Sequence, residues 1–219
     1  MTDYSWKPDG YKIKIQGQSF RWPNALRNFV LPVRHQKGWI EDSKDVTNTK
    51  LSAREWFGLV IHSIAMSDVS GDEILVATEN TGGDGAVVSV ENGENMAVLV
   101  EQTLATHKES GDLLEIIKRR VSAKSSNGKN YAENKHLVVL CNNDGDLIEK
   151  KLAKIVSEGQ FDIVNIIGFQ NNEQGKHFLS FIFDKDFPNK AIHRMAIYED
   201  KLWQAAIDIF EDEQKIKKP

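Results

Sequence analysis

An Asn92-Gly93 dipeptide between two Val-rich runs is the feature that most constrains the fold of this chain. Asn-Gly is the strongest short-range signal for a β-hairpin, because a type I′ turn requires a positive φ at both of its central residues. If these two residues form the loop, positions at equal distances from the turn face each other. Asp84 then lies directly opposite Glu101.

The register depends on the length of the loop. A four-residue loop keeps the same pairing, whereas a three- or five-residue loop shifts it by one and pairs Asp84 with Val100 or Gln102. Opposed residues have Cβ atoms about 4.5–5.5 Å apart, so two facing carboxylates repel each other unless a divalent cation lies between them. The pairing indicates a metal site. The alternative is that Asp84 belongs to a Gly-rich turn and Glu101 is a solvated charge at a strand end.

Both faces of the predicted hairpin carry apolar side chains. The face of the two carboxylates also carries Ala86, Val88, Ala97 and Leu99, and the opposite face carries Val87, Val98 and Val100. A hairpin that is apolar on both sides is typical of the buried interior of an α/β domain. Carboxylates at the end of a buried hairpin need a partner or a metal ion.

The remaining elements alternate between helices and strands. Ser52 and Glu55 form a capping-box pattern that begins a helix reaching about Met66. Further strands are predicted at 73–79, 136–142, 162–168 and 177–183, helices at 111–124 and 146–158, and a helical end from about residue 190. This order predicts an α/β fold with a mixed central sheet flanked by helices.

The 219 residues are enough for one large domain with an appendage. We predict that residues 1–50, in which tryptophans and prolines are scattered, form an N-terminal extension packed on the core. Residues 51–219 would form the α/β domain, with a helical segment at its C-terminus.

Composition excludes several classes of protein. The single Cys141 excludes a disulfide framework and a Cys-rich zinc site, and the six histidines show no metal-binding spacing. No apolar run approaches the ~20 residues of a membrane span, and the polar start lacks a signal-peptide pattern. We therefore expect a cytoplasmic protein without a membrane partner.

Charge is unevenly distributed along the chain. The net charge of −4 argues against indiscriminate coating of nucleic acid. A basic run lies between Lys118 and Lys135, with Glu133 as its acidic residue. Such a run can contact phosphates, or it can be a solvated helix face and loop.

The order of elements and the two acids resemble the PD-(D/E)XK, or restriction-endonuclease-like, nuclease superfamily over roughly Leu51 to Phe169. The resemblance implies an αβββαβ core, with Asp84 as the first acid and Glu101-Gln102-Thr103 as the second motif. Glu55 matches an acid that some members add on the first helix. In that family the acids hold Mg²⁺ (or Mn²⁺), which activates a water molecule to attack a DNA phosphodiester.

The chain departs from the family pattern at two positions. Gly83 replaces the Pro before the first acid, and Thr103 replaces the Lys that orients the attacking water and neutralises charge in the transition state. Some members carry this Lys on the following helix, where Lys118 lies, and Lys108 is nearer the strand. The hydroxyl of Thr103 could position water, but it cannot supply positive charge.

These observations lead to one main hypothesis and two alternatives. The main one is a metal-dependent DNA endonuclease-like protein, with catalytic residues Asp84, Glu101, Thr103 and Lys118 and metal ligands Asp84, Glu101 and Glu55. Glu55 is also placed to cap its own helix. The first alternative is an inactive nuclease-fold module that binds DNA or a protein partner. The second is a small-molecule-binding α/β domain, and a homodimer is compatible with all three.

Overall fold

A computed structural model describes residues 13–14, 18–46, 49–78, 84–91, 94–143, 145–172, 175–187 and 189–216. The turn residues Asn92 and Gly93, and Gly83 before the first acid, lie outside these ranges. So do most of the first seventeen positions of the predicted N-terminal extension.

One mixed β-sheet forms the centre of the molecule, and its strands lie in the order β2-β3-β4-β5-β6-β7-β8-β9, with β1 pairing beside this path to β5. The contacts of β5 with β6 and of β6 with β7 are parallel, and the other contacts are antiparallel. The strands are β1 Ile13–Lys14, β2 Ser19–Phe20, β3 Leu75–Ala77, β4 Ala86–Glu91, β5 Glu94–Thr106, β6 Lys135–Asn142, β7 Ile163–Asn172, β8 Gly175–Asp184 and β9 His193–Tyr198.

Helices cover both faces of this sheet. They are α1 Trp22–Ala25, which continues into a π-helical turn at Leu26–Val30, then α2 Ala53–Ser70, α3 Leu113–Ser125, α4 Lys129–Ala132, α5 Glu149–Ser157 and α6 Glu199–Ile216. One buried core, which we call the α2 core, contains apolar residues of α2 and α6. A second, the α3 core, contains those of α3 and α5. The prediction of a mixed α/β sheet flanked by helices is confirmed.

Strand β6 shows why the buried strands read as continuous apolar runs. Successive side chains of a strand point to opposite faces. Val138 and Leu140 lie in the α2 core, whereas Leu137, Val139 and Cys141 lie in the α3 core. Because both faces are buried, no polar alternation remains in the sequence.

The β4–β5 hairpin has the register that the Asn-Gly dipeptide predicts. Glu91 pairs with Glu94 and Val88 pairs with Ala97. Near the open end, the amide of Asp84 donates to the carbonyl of Val100, and the amide of Val100 donates to the carbonyl of Gly85, each at 2.9 Å. Two residues thus oppose one, which is the pattern of a β-bulge.

Gly85 is required at this bulge. Its φ is +130°, and a Cβ atom there would lie 2.4 Å from Cδ1 of Leu59 in α2. A side chain at this position would be strained by the backbone conformation and would clash with the helix. The bulge therefore fixes how α2 packs under the end of β4.

The C-terminal region differs from the prediction. The segment from about residue 190 begins with the strand β9, which pairs antiparallel with β8, before α6 starts at Glu199. The exposure of β9 alternates along most of its length, because it is an edge strand with one face on the core. Ile197 and Met195 of β9 pack against the α2 core.

The N-terminal extension contributes directly to the α2 core. Phe29, in the π-helical turn, stacks on Trp56 of α2 with ring centroids 4.1 Å apart, and Phe20 of β2 meets both rings edge-on. Ala25, Leu26 and other residues of this segment are buried in the same core. The tryptophan of α2 is thus covered by residues that precede it in the chain.

A chain of four polar side chains crosses the α2 face of the sheet. The Ser180 hydroxyl donates to Oδ1 of Asn165 (2.8 Å), and Nδ2 of Asn165 lies 3.2 Å from Nδ1 of His62. Nε2 of His62 lies 2.9 Å from Nδ1 of His136. Because an amide nitrogen only donates, His62 carries its proton on Nε2 and donates it to His136.

Both histidines are buried, and burial disfavours their charged forms. Burial and the neighbouring His136 hold the pKa of His62 well below its ordinary value. Burial lowers the pKa of His136 to about 4, against a smaller opposing effect of Asp162. Both rings are therefore neutral in the folded protein at neutral pH.

Acid should destabilise the fold through this pair. Below about pH 6.5 the unfolded chain binds protons that the folded histidines reject, so the free energy of unfolding falls by up to about 1.4 kcal/mol per pH unit for each histidine, until the folded pKa is reached. Urea titrations between pH 7.5 and pH 4.5 measure this. We expect His136→Gln to reduce the slope. Equal slopes in the wild type and in His136→Gln would contradict the assignment.

Candidate functional site

Five side chains converge on the α3 face of the sheet. Asp84 lies just before β4 and Glu101 lies within β5. Lys124 is in the last turn of α3, Tyr131 is in α4, and Lys135 begins β6. We refer to these five residues as the acid–lysine cluster.

Glu101 is the centre of the acid–lysine cluster. Only 2% of the residue is exposed. Its Oε1 accepts a hydrogen bond from Nζ of Lys135 (2.9 Å), and its Oε2 accepts one from Nζ of Lys124 (2.9 Å) and another from the hydroxyl of Tyr131. A buried carboxylate needs such partners, and here both of its oxygens have them.

Asp84 shares Lys124 with Glu101. Its Oδ2 accepts a hydrogen bond from the backbone amide of Gln102 (2.8 Å) and lies 3.4 Å from Nζ of Lys124. The Asp84 side chain is 32% exposed, so this carboxylate faces the solvent. The predicted direct pairing of Asp84 with Glu101 is shifted, because the bulge places Asp84 and Gly85 opposite Val100. Both acids nevertheless contact the same ammonium group, that of Lys124.

The charges of the acid–lysine cluster stabilise one another. Burial raises the pKa of Glu101, but hydrogen bonds from Tyr131, Lys135 and Lys124 outweigh it, so that the pKa is lowered. Burial lowers the pKa of Lys124, but its hydrogen bond to Glu101 and the charge of Asp84 outweigh that effect and raise the pKa. Both residues are ionised at neutral pH.

Tyr131 acts as a donor throughout the physiological range. Burial, followed by its hydrogen bond to Glu101, raises the pKa of Tyr131 to about 12. The phenol therefore keeps its proton and donates a hydrogen bond to the carboxylate of Glu101. The ammonium of Lys135 also lies 4.3 Å from the centre of the Tyr131 ring, a cation–π contact that holds the ring beside the strand.

Gln102 connects this region to α2 on the other face of the sheet. Its Nε2 donates to the carbonyl of Glu55 (2.9 Å) and to the carbonyl of Asp84 (3.2 Å). A Cβ atom on Gly58 would lie 2.2 Å from Oε1 of Gln102, so a glycine allows the helix to approach this closely. The backbone position of Asp84 is thus fixed from both faces.

Glu55 caps its own helix in this structure. Its Oε2 accepts hydrogen bonds from the backbone amide of Ser52 (2.6 Å) and from the Ser52 hydroxyl (2.9 Å), while Ser52 in turn accepts from the amide of Glu55. This is the capping role that the Ser-x-x-Glu pattern indicates. As a correction to the predicted metal ligands, the Glu55 carboxylate is engaged at the helix start and not with the two acids.

The lysine that reaches the acids is Lys124 rather than Lys118. The ammonium of Lys118 pairs with Glu158 at 3.0 Å, and that of Lys108 pairs with Glu41 at 2.9 Å. On α3 the buried residues Ile117 and Val121 are followed by Lys124 at helical spacing, so this lysine continues the stripe that faces the sheet. Lys118 follows Ile117 by one residue, so it lies about 100° around the helix from Ile117 and away from this stripe. The helical period is the signal in the sequence that identifies Lys124.

Thr103 lies in β5 two positions after Glu101 and therefore on the same face of the sheet. It is half-buried and pairs in register with Val139 of β6. It lies further along the strand than Glu101.

Mg²⁺ is commonly bound by one or two carboxylates, and it completes its shell with water and substrate phosphates. Asp84 and Glu101 supply two carboxylates, and in this structure their oxygens contact Lys124, Lys135 and Tyr131. Within the described ranges, no group of three or more His, Cys, Asp or Glu side chains is arranged to hold a metal ion.

Comparison with known proteins provides no relative. No family model, no curated protein and no solved structure matches the chain. Among the helices that the structure describes, none is both long and apolar enough to cross a membrane. The function must therefore be inferred from the geometry of the site.

Removing the charge of Glu101 should destabilise the protein strongly. Glu101→Gln leaves Lys124 and Lys135 without their shared carboxylate, and breaking a buried ion pair in this way typically costs about 3–5 kcal/mol. Glu158→Gln is the matched control, because it removes the partner of the exposed Lys118, which lies on α3 like Lys124. It should cost at most about 1 kcal/mol. Urea denaturation compares the two variants. A similar small cost for both would show that the buried cluster adds no stability.

Proposed function

We propose that this protein is a metal-dependent nuclease that hydrolyses DNA phosphodiesters, with Asp84, Glu101 and Lys124 as its reactive residues. The observation that carries the proposal is the shared contact of Lys124 with the two acids, at 3.4 Å and 2.9 Å. The resemblance to the PD-(D/E)XK superfamily implies a lysine beside these acids. Lys124, on the following helix, takes the role that Thr103 cannot.

The order of elements supports the same proposal. The segment from α2 to β6 runs helix, three strands, the helix α3, the short helix α4 and a strand, which matches the αβββαβ order of that superfamily apart from the added α4. Strand β4 pairs antiparallel with both β3 and β5, and β6 pairs parallel with β5. Asp84 precedes β4 and Glu101 lies on β5, which are the strands on which the family carries its acids.

A Mg²⁺ or Mn²⁺ ion would be held by Asp84 and Glu101, and when bound it would supply the Lewis acidity that phosphodiester hydrolysis needs. The side chains around the acids prepare them for this role. Tyr131 and Lys135 keep Glu101 ionised and oriented, and the amide of Gln102 orients Asp84. Lys124 contributes positive charge where negative charge develops on the phosphate oxygens.

A second candidate is the nuclease fold without catalysis, used to bind DNA or a protein partner. One observation favours it. Two carboxylates and two ammonium groups already balance their charges in the acid–lysine cluster, and Lys124 contacts the same carboxylate oxygens that a shared cation would contact. For a metal ion to bridge the acids, Lys124 would have to give up one of these contacts.

DNA cleavage assays test the proposal. Purified protein is incubated with plasmid and with single-stranded DNA in the presence of Mg²⁺, Mn²⁺ or EDTA. We expect cleavage that requires the metal and is abolished in Asp84→Asn. Lys124→Met should reduce the rate by about 10²–10³-fold, the range observed when one transition-state donor is removed. Lys118→Met is the matched control on the same helix and should cleave at the wild-type rate.

Three outcomes separate the candidates. Equal losses in Lys124→Met and Lys118→Met would contradict the role of Lys124. Salt-dependent DNA binding without cleavage in any metal would support the inactive module and overturn the enzymatic proposal. If DNA is neither cut nor retained, both nucleic-acid proposals fail and the protein-binding form of the second candidate remains.

A further inference from the structure

A cavity of about 450 Å³ lies away from the acid–lysine cluster. It opens where β6 ends, between the neighbouring ends of β7 and β8, the start of α6 and the segment 34–39. Its lining residues are Arg34, His35, Trp39, Asn142, Phe169, Gln170, Lys176, His177, Phe178, Glu199 and Trp203. We refer to it as the tryptophan cavity.

The tryptophan cavity is distinct from the proposed nuclease site. Asn142, in the cavity wall, lies on β6 and pairs in register with Thr106 of β5. Glu101 lies on β5 five positions before Thr106. At about 3.3 Å per residue the two places are roughly 17 Å apart along β5. Phe178 and Trp203 belong to the α2 core, whereas Glu101 faces α3. The two sites occupy opposite faces and different ends of the sheet.

The walls of the tryptophan cavity are aromatic and held by packing. Trp39 is half-buried and meets Phe57 edge-on at 5.5 Å, and Phe169 meets Phe178 edge-on at 4.9 Å. Trp203 is buried, and its indole nitrogen donates to Oε1 of Glu199 (3.1 Å). Rings that are fixed in this way provide flat surfaces on which a planar ligand can stack.

Positive charge exceeds negative charge in the lining. The guanidinium of Arg34 lies 4.6 Å from the centre of the Trp203 ring, which holds it at the cavity wall. Lys176 is exposed at the start of β8. Over the described ranges, neither Arg34 nor Lys176 forms an ion pair with a carboxylate, and Glu199 is the acidic residue of the lining. The cavity therefore favours an anionic group.

Two side-chain amides complete the lining. Asn142 donates through Nδ2 to Oε1 of Glu41 (2.9 Å), which orients its amide, and Gln170 lies on the adjacent strand β7. Amides offer both donors and acceptors, as do the edges of nucleobases. A volume of this size is also within the range of small-molecule sites.

We propose that the tryptophan cavity binds a nucleotide, with its base against Trp39 and its phosphate on Arg34 and Lys176. Aromatic walls, the cations of Arg34 and Lys176, and the amide groups match the three parts of such a ligand. The same chemistry is offered by a free mononucleotide and by the phosphate-bearing end of a nucleic-acid strand. This site is separate from the acid–lysine cluster and does not depend on nuclease activity.

Calorimetric titration with AMP, GMP, CMP and UMP tests the proposal, supported by quenching of tryptophan fluorescence. We expect saturable binding of at least one of the four. Arg34→Ala should weaken it by about tenfold or more, because a charge-assisted hydrogen bond is lost. Lys176→Ala should act in the same direction. Lys190→Ala, an exposed lysine outside the lining, is the matched control and should bind like the wild type.

The ligand's own parts provide further comparisons. The nucleoside without phosphate and inorganic phosphate without a base should each bind at least about tenfold more weakly than the best mononucleotide. A phosphate-ended trinucleotide that binds more tightly than the mononucleotide identifies a strand end as the ligand, and equal affinity identifies the free nucleotide.

Three results would overturn the proposal. The first is the absence of saturable binding for all four mononucleotides and for the trinucleotide. The second is binding that Arg34→Ala and Lys176→Ala leave unchanged while both variants remain folded. The third is inorganic phosphate binding as tightly as the mononucleotide, because the aromatic wall would then contribute nothing.

Discussion

The buried carboxylate of Glu101 is the interaction on which the arrangement around the sheet depends. A charge that is 98% removed from solvent would be costly without partners, and its three donors come from α3, α4 and β6. The connection from β5 through these helices to β6 is a long crossover, which chain entropy alone would leave loose. One ion cluster attaches the end of α3, α4 and the start of β6 to the strand that the crossover leaves.

The lysine of the acid–lysine cluster has two opposing effects on the chemistry of the site. Ionised acids with a lysine between them are the residues that phosphodiester hydrolysis uses, yet the lysine also neutralises the charge that would attract a metal ion. Which property dominates depends on whether Lys124 can exchange Asp84 for a substrate phosphate. The partial exposure of Asp84, compared with the burial of Glu101, makes that contact the weaker of the two.

Much of this site follows from local patterns in the sequence. The Asn-Gly dipeptide predicts the register that brings Asp84 beside Glu101, and Ser52 with Glu55 predicts the start of α2. Lys118, predicted from its place on the following helix, pairs with Glu158, whereas Lys124 continues the buried stripe that contains Val121 and reaches the acids. The sequence predicts a helix over the region that contains strand β9, because six residues are too few for a strand period to be distinguished from a helical one.

Some features of this protein are determined by interactions between residues close in the chain, and others by the packing of distant elements. The hairpin pairing, the capping of α2 and the buried strands are determined by the sequence, since turn geometry and strand period act over a few residues. The tertiary structure decides that the stripe of α3 that contains Lys124 lies over the two acids, and that Arg34 and Trp203 meet at one cavity. These contacts join residues far apart in the chain, and they depend on how helices pack on the sheet, which no local pattern encodes.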